Sequence, residues 1–290
     1  MNAPIKKLAD VLKAGTEYLA ERNIEHPRLI CELLAARLLN CKRLDLYLQF
    51  EAVISAKQLD AMRRGVVRAG KGEPIQYILK QTEFYGRSFK TDSRALIPRP
   101  ETETLVEKVL AEKKIWSIET GRPLVVDVGT GTGCIVLTLA SECPNADYVA
   151  IDTSADAIEL ARENAVALGL QDSVTLRHGE LPEYVEAESA RAIVANLPYI
   201  PTDICEQLPM NVRNYEPRQA LDGGPDGLSV INVIAQDAAC ALQSGGMLFL
   251  EIGEDQGAAV TEILAANGFS DVTVEQDLNK RDRIAKATMS

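Results

Sequence analysis

The chain has 290 residues, enough for two domains, and its 46% hydrophobic and 25% charged residues are ordinary for a soluble globular protein. Its net charge of -11 argues against a phosphate-backbone partner, because nucleic-acid binding relies on a basic face. Six scattered cysteines without a Cys-x-x-Cys pair, with only two histidines, argue against a zinc site and point to reduced thiols, so no metal is expected. No stretch of about 18 apolar residues suggests a membrane span, and Met1–Lys7 leads into an amphipathic pattern rather than a signal core, so the expected location is cytoplasmic.

Residues 1–73 read as a small helical domain. Leu8, Val11, Leu12, Tyr18 and Leu19 recur at helical spacing, as do Leu29, Ile30, Leu33, Leu34, Leu38 and Leu39 after a break at His26-Pro27. A third helix is predicted from about Ser55 to Arg68, ending before Gly70 and Gly72. Residues 74–98 change character: Tyr77-Ile78-Leu79, Glu83-Phe84-Tyr85 and Ser88-Phe89-Lys90 are short, aromatic-rich pieces around Gly86, which fits a β-hairpin connector.

From residue 99 to 290 strands and helices alternate. Glu101 to Lys114 restarts a helix, and Leu124–Val128, Tyr148–Ile151, Val174–Arg177, Ala192–Ala195 and Met247–Ile252 are apolar runs with helical segments between them. Gly245-Gly246 reads as the stop of a helix over 229–242, and Val272–Val274 and Ile284–Ala287 can close the sheet. This alternation predicts an α/β domain with a mostly parallel sheet and helices on both faces.

Asp127-Val128-Gly129-Thr130-Gly131-Thr132-Gly133 falls where the first strand becomes a helix, and glycines there allow a tight turn and close approach of backbone to a ligand. Asp152, ending the next strand, is placed to accept the hydroxyl protons of a ribose. A dinucleotide fingerprint would need glycine where Cys134 stands, which disfavours a nicotinamide oxidoreductase. The spacing instead resembles the S-adenosylmethionine loop of Rossmann-like class I methyltransferases. Asp127 would then hold the loop or the methionine ammonium, with Glu180 reading the adenine amino group and Leu181 beside the ring.

Asn196-Leu197-Pro198-Tyr199 follows the fourth strand, at the sheet edge where open α/β folds bind ligands. An amide nitrogen is a poor nucleophile because its lone pair is delocalised. The Asn196 side-chain oxygen and the Leu197 carbonyl can each accept one amide hydrogen and orient that nitrogen. Tyr199 can stack on the amide plane, and Pro198 stiffens the turn.

Over nearly its whole length the chain resembles the release factor glutamine methyltransferase family, the protein-(glutamine-N5) methyltransferases. The resemblance rests on His26-Pro27-Arg28 with Glu32-Leu33-Leu34, Glu73–Ile78, Leu96–Glu103, Tyr215-Glu216-Pro217, Gly223–Leu228, Leu250–Gly253 with Gln256-Gly257, and Asp277 with Arg281-Asp282-Arg283. It implies methyl transfer from S-adenosylmethionine to the glutamine of a Gly-Gly-Gln loop in class 1 peptide chain release factors, with the helical domain gripping the factor. It carries over Gly129–Gly133, Asp152 and Asn196 to the cofactor and Asn196–Tyr199 to the glutamine. A monomer is expected, without direct nucleic-acid contact.

The family's usual tetrapeptide is Asn-Pro-Pro-Tyr, so Leu197 departs from it while keeping a backbone carbonyl. Asn-Leu-Pro-Tyr is also the form in ribosomal RNA adenine N6-methyltransferases, which makes adenine N6-methylation of RNA or DNA the alternative. The acidic charge, the helical domain and the Ile97–Glu101 connector favour a protein substrate. A cofactor-binding module that grips a translation factor without methylating it is a non-catalytic alternative, disfavoured by an intact Asn196 and Tyr199.

Overall fold

A computed structural model describes residues 6–117, 121–277 and 279–290, so the first five residues of the expected helical domain lie outside it. The chain divides into two units, Met1–Lys80 with Met210–Tyr215, and Gln81–Pro209 with Glu216–Ser290.

In the first unit β1 (Lys6–Lys7) pairs antiparallel with β2 (Val53–Ile54) beside helices α1 (Leu8–Ala20), α2 (Pro27–Leu39) and α3 (Ala56–Ala69). Helix α2 starts where the sequence breaks, with His26 left-handed and Pro27 at the first helical position, where its missing N–H costs nothing. Helix α3 opens on a capping box: Ser55 Oγ accepts the Gln58 amide at 3.3 Å, and the Gln58 side chain accepts the Ser55 amide at 3.0 Å. Leu8, Leu12, Leu19, Leu34, Leu46 and Met62 form the core.

Tyr77-Ile78-Leu79, expected as part of the hairpin, instead lies in a one-turn helix α4 (Ile75–Leu79). Ile75, Ile78 and Leu79 share a helical face and pack on the helical core, and that burial outweighs the β preference of an aromatic next to branched residues.

The second unit begins with a hairpin, β3 (Gln81–Phe84) and β4 (Arg87–Lys90), followed by α5 (Pro100–Ala111) and α6 (Lys113–Trp116). The alternating part runs β5 (Leu124–Val128), α7 (Cys134–Glu142), β6 (Asp147–Asp152), α8 (Ala155–Leu168), β7 (Val174–His178), α9 (Leu181–Tyr184) and β8 (Ala190–Asn196). After β8 come the short helices α10 (Thr202–Cys205) and α11 (Met210–Arg213), the latter a part of the first unit, then α12 (Ser229–Ala241), β9 (Leu242–Glu251), α13 (Gly257–Ala266), β10 (Phe269–Gln276) and β11 (Asp282–Met289).

Among the described residues the seven strands of the sheet lie in the order β10-β11-β9-β8-β5-β6-β7. β7, β6, β5, β8 and β9 are parallel neighbours, while β11 joins β9, and β10 joins β11, antiparallel. The central strands are buried on both faces, as parallel strands covered by helices must be: Ala192, Ile193, Val194 and Ala195 are all inaccessible to solvent. One core lies between the sheet and α5 and α7, around Val106, Leu137 and Phe249; the other lies under α12 and α13, around Ile234, Leu250 and Leu264.

Gly245-Gly246 does not end a helix. Helix α12 stops at Ala241, and both glycines lie in β9, Gly245 at φ +74°. A Cβ on Gly246 would stand 2.8 Å from the Gln243 carbonyl and 3.1 Å from that of Ala190. The pairing of β8 with β9 shifts register there, so the glycines serve a bulge.

Candidate active site

The chain leaves β5 toward β6 and β7 on one side and returns through β8 on the other, which opens a crevice at the carboxyl ends of β5 and β8. Gly129, Gly131 and Gly133 all have positive φ, +73°, +56° and +79°, a backbone course open to glycine at little cost. The Gly129 and Thr130 amides both donate to the Ile151 carbonyl, at 2.9 and 3.1 Å. From the other side the buried Asn164 amide donates to the Thr132 carbonyl at 2.9 Å and to Lys90 of the hairpin at 3.0 Å. The loop is therefore held by its surroundings before any ligand arrives.

The two aspartates of this region differ. Asp127 is fully buried behind the loop, where one carboxylate oxygen accepts the Thr130 hydroxyl at 2.7 Å and the Val136 amide at 3.3 Å. Burial pushes its carboxyl up to about 7, against the pull of those two donors. Asp152 ends β6 on the crevice side, accepting the Gly131 amide at 2.9 Å and the Ser154 amide at 2.8 Å. Burial raises its pKa as well, and the same amides oppose the rise.

Asn196 and Glu251 are register partners at the ends of β8 and β9. The Asn196 Nδ2 donates to Thr102 Oγ1 at 3.0 Å, and Thr102 Oγ1 donates to Glu251 Oε2 at 2.7 Å. The Tyr199 hydroxyl donates to Glu251 Oε1 at 3.3 Å. Thr102 and Glu251 are both 2% exposed. Burial raises the Glu251 carboxyl, while the Thr102 hydrogen bond and the Arg283 charge hold it down. Burial also lifts the Tyr199 hydroxyl to about 12, so it stays a donor at neutral pH.

Gln256 donates to the Tyr199 carbonyl at 2.9 Å and the Gly227 carbonyl at 3.2 Å, pinning the turn after the tetrapeptide. Arg99 donates to the buried Glu216 at 2.5 Å, and Glu216 also accepts the Ile97 amide at 3.1 Å, so the connector's end is fastened to the loop after the tetrapeptide.

A cavity of about 490 Å³ occupies the crevice. Of the residues expected from sequence, Gly129, Thr130, Gly131, Thr132, Asp152, Glu180, Leu181, Asn196, Leu197 and Pro198 line it. Asp127, Gly133 and Tyr199 are not among the lining residues. Sequence reading missed the walls supplied by α12, Val230, Val233, Ile234 and Asp237, and by Leu96 and Ile97. It also assigned no role to Thr102, Glu251 or Gln256, although a glutamate inside the apolar run Met247–Ile252 is a signal that a buried partner awaits it.

These residues fit S-adenosylmethionine. The Asp152 carboxylate suits ribose hydroxyls, and the apolar side chains of Leu181, Val230 and Ile234 suit an adenine ring. Among the described residues no group of three or more His, Cys, Asp or Glu side chains could hold a metal ion, and no helix is long and apolar enough to cross a membrane.

Residues 10–79 match the family model described as the PrmC N-terminal domain, and residues 102–205 match the methyltransferase small domain. The release factor glutamine methyltransferase of Chlorobaculum tepidum is 39% identical over 289 residues, covering 95% of each chain. That of Geobacter sulfurreducens is 39% identical over 280 residues, covering 97% of this chain and 95% of the relative. A methyltransferase from Pyrococcus furiosus superposes with a TM-score of 0.51 at 16% identity, over 71% of this chain and 90% of its own, a likeness of fold. With such identity along almost its entire length, this chain belongs to the release factor glutamine methyltransferase family.

Proposed function

We propose that the protein methylates the side-chain amide nitrogen of a glutamine in a peptide chain release factor, at the Gly-Gly-Gln loop of class 1 factors, using S-adenosylmethionine as methyl donor. The observation that carries this reading is Asn196. Its Nδ2 is committed to Thr102 at 3.0 Å, and Asn196 lines the cavity beside Leu197. A side-chain oxygen left to the cavity and a neighbouring backbone carbonyl make two acceptors, the number of hydrogens on a primary amide.

S-adenosylmethionine, when bound, supplies a methyl group on a sulfonium whose sulfur keeps the electron pair of the broken bond. The glycine loop Gly129–Gly133, Asp152, Glu180 and Leu181 would hold it, with Asp127 bracing the loop from behind. Asn196 Oδ1 and the Leu197 carbonyl would take the two amide hydrogens, fix the nitrogen, and favour the positive charge that grows on it before one proton leaves. Pro198 limits the turn's freedom, and the Tyr199 ring is assigned to flank the amide.

Residues 1–73 are assigned to release-factor recognition, 74–98 to the connector and 99–290 to methyl transfer. The chain is read as a cytoplasmic monomer. The net charge of -11 disfavours the adenine N6 alternative.

The test uses labelled S-adenosylmethionine with a wild-type release factor and its Gly-Gly-Gln Gln→Ala variant. Label on the wild-type factor alone is expected. Equal labelling of both, or of neither, would overturn the proposal.

A further inference from the structure

An asparagine amide has two nearly isosteric orientations, and only one of them presents an acceptor to an incoming amide N–H. Whatever selects that orientation decides whether Asn196 can do its task. The selecting groups lie outside the tetrapeptide. Glu251, as a carboxylate, only accepts: one oxygen takes the Thr102 hydroxyl hydrogen at 2.7 Å and the other takes the Tyr199 hydroxyl at 3.3 Å. Thr102 has a single hydroxyl hydrogen. With that hydrogen committed to Glu251, Thr102 can only accept from Asn196, and it does so from Nδ2 at 3.0 Å.

We infer that Thr102 and Glu251 are positioning residues of methyl transfer, a relay that fixes the polarity of the Asn196 amide so that Oδ1 faces the substrate. The inference rests on the proposed glutamine methylation. The relay is built for this. Thr102 and Glu251 are both 2% exposed, so water cannot readily take the place of either partner. Asn196 and Glu251 are backbone register partners on adjacent strands, and α5 delivers Thr102 between their side chains. Reversing the polarity would bring the Asn196 NH2 group against the substrate N–H that Oδ1 is assigned to accept, donor against donor.

Burial pushes the Glu251 carboxyl up and Glu101 on α5 adds to that rise, while the Thr102 hydrogen bond, Arg283 on β11 and the Tyr199 hydrogen bond favour the acceptor-only carboxylate. Tyr199 and Thr102 donate to it.

The experiment uses the full chain and five variants: Thr102→Val, Thr102→Ser, Glu251→Gln, Asn196→Ala, and Thr102→Val combined with Asn196→Ala. Thr102→Val keeps the side-chain shape and removes the hydroxyl. It should lower kcat at least about 10-fold, the scale of one hydrogen bond in a charged network, with cofactor affinity unchanged within about threefold. Thr102→Ser restores the hydroxyl and should return kcat to within about threefold of wild type. Glu251→Gln can accept from Thr102 in only one of its two orientations, so its kcat should lie between wild type and Thr102→Val.

Because Thr102 is assigned to act only through Asn196, the double variant should be no slower than Asn196→Ala alone. Additive losses, a wild-type kcat in Thr102→Val or Glu251→Gln, or no rescue by serine would each overturn the relay. If the wild-type protein labels no release factor, the functional reading fails. The relay is then read from the Asn196 side-chain NH2 resonances. They should be protected from exchange in wild type and Thr102→Ser and lose protection in Thr102→Val, and unchanged protection in Thr102→Val would overturn it.

Discussion

Leu197 lies against Gly129: a Cβ built on the glycine would stand 2.8 Å from Leu197 Cδ2. The residue that departs from the family's usual proline therefore touches the first glycine of the loop assigned to the cofactor. Leu197 is 8% exposed, so its side chain is part of the packing between β5 and β8.

Gly129→Ala should be damaging for two separable reasons, the positive φ of +73° and the collision with Leu197. We expect a destabilisation of about 1–3 kcal/mol and weaker S-adenosylmethionine binding. Adding Leu197→Ala should recover the steric part and leave the backbone part. Thermal melts and calorimetric titration of the three proteins check this; no recovery in the double variant would rule out the packing contribution.

Asp127 predicts a pH signature. Burial lifts its carboxyl to about 7, above the ordinary carboxyl value of 3.8, so the folded state holds the extra proton between those values. This group's contribution to stability is complete below the lower value and declines as pH rises through about 7. Asp127→Asn removes the titration, so its stability relative to wild type should improve between pH 5 and pH 8. Urea unfolding at the two pH values decides the matter. An equal difference at both would show that Asp127 does not titrate there.

Arg99 should matter to stability beyond its exposed charge. Its partner Glu216 is 5% exposed, and Arg99→Met would leave that carboxylate with the Ile97 amide alone. A loss of about 3 kcal/mol is expected, with a smaller loss for Glu216→Gln, which leaves only the partly exposed Arg99 charge without its partner. Chemical denaturation of both variants tests the order. A Glu216→Gln loss larger than that of Arg99→Met would contradict it.

Asn196→Ala should leave cofactor binding measurable and cut transfer by about 100-fold or more, the scale of a lost oriented hydrogen-bonding group. Single-turnover transfer beside a binding titration separates the two. Near-normal turnover would remove Asn196 from its assigned role.

The glycine loop, Asp152 and the tetrapeptide were legible in the sequence because each sits at a strand end, and a βα alternation places strand ends on one edge of a parallel sheet. Thr102 and Glu251 appeared only as parts of longer motifs. They meet across 149 positions, and Thr102 reaches Asn196 across 94, so no local spacing points to their contacts. The helical turn Ile75–Leu79 was hidden for a related reason: five residues carry too little periodicity, and packing on the helical core decides their conformation.

What the sequence by itself determined is the kind of chemistry. Residue types at strand ends specify donors and acceptors, and local patterning specifies which edge of the sheet they occupy. Only the tertiary structure decided how those groups are used. It turned Asp127 inward to brace the loop and Asp152 outward to the crevice. It set Leu197 against Gly129 and directed the Asn196 nitrogen to Thr102. Burial and the choice of hydrogen-bond partner depend on atoms contributed by distant segments, and those meet only when the sheet and its helices close on one another.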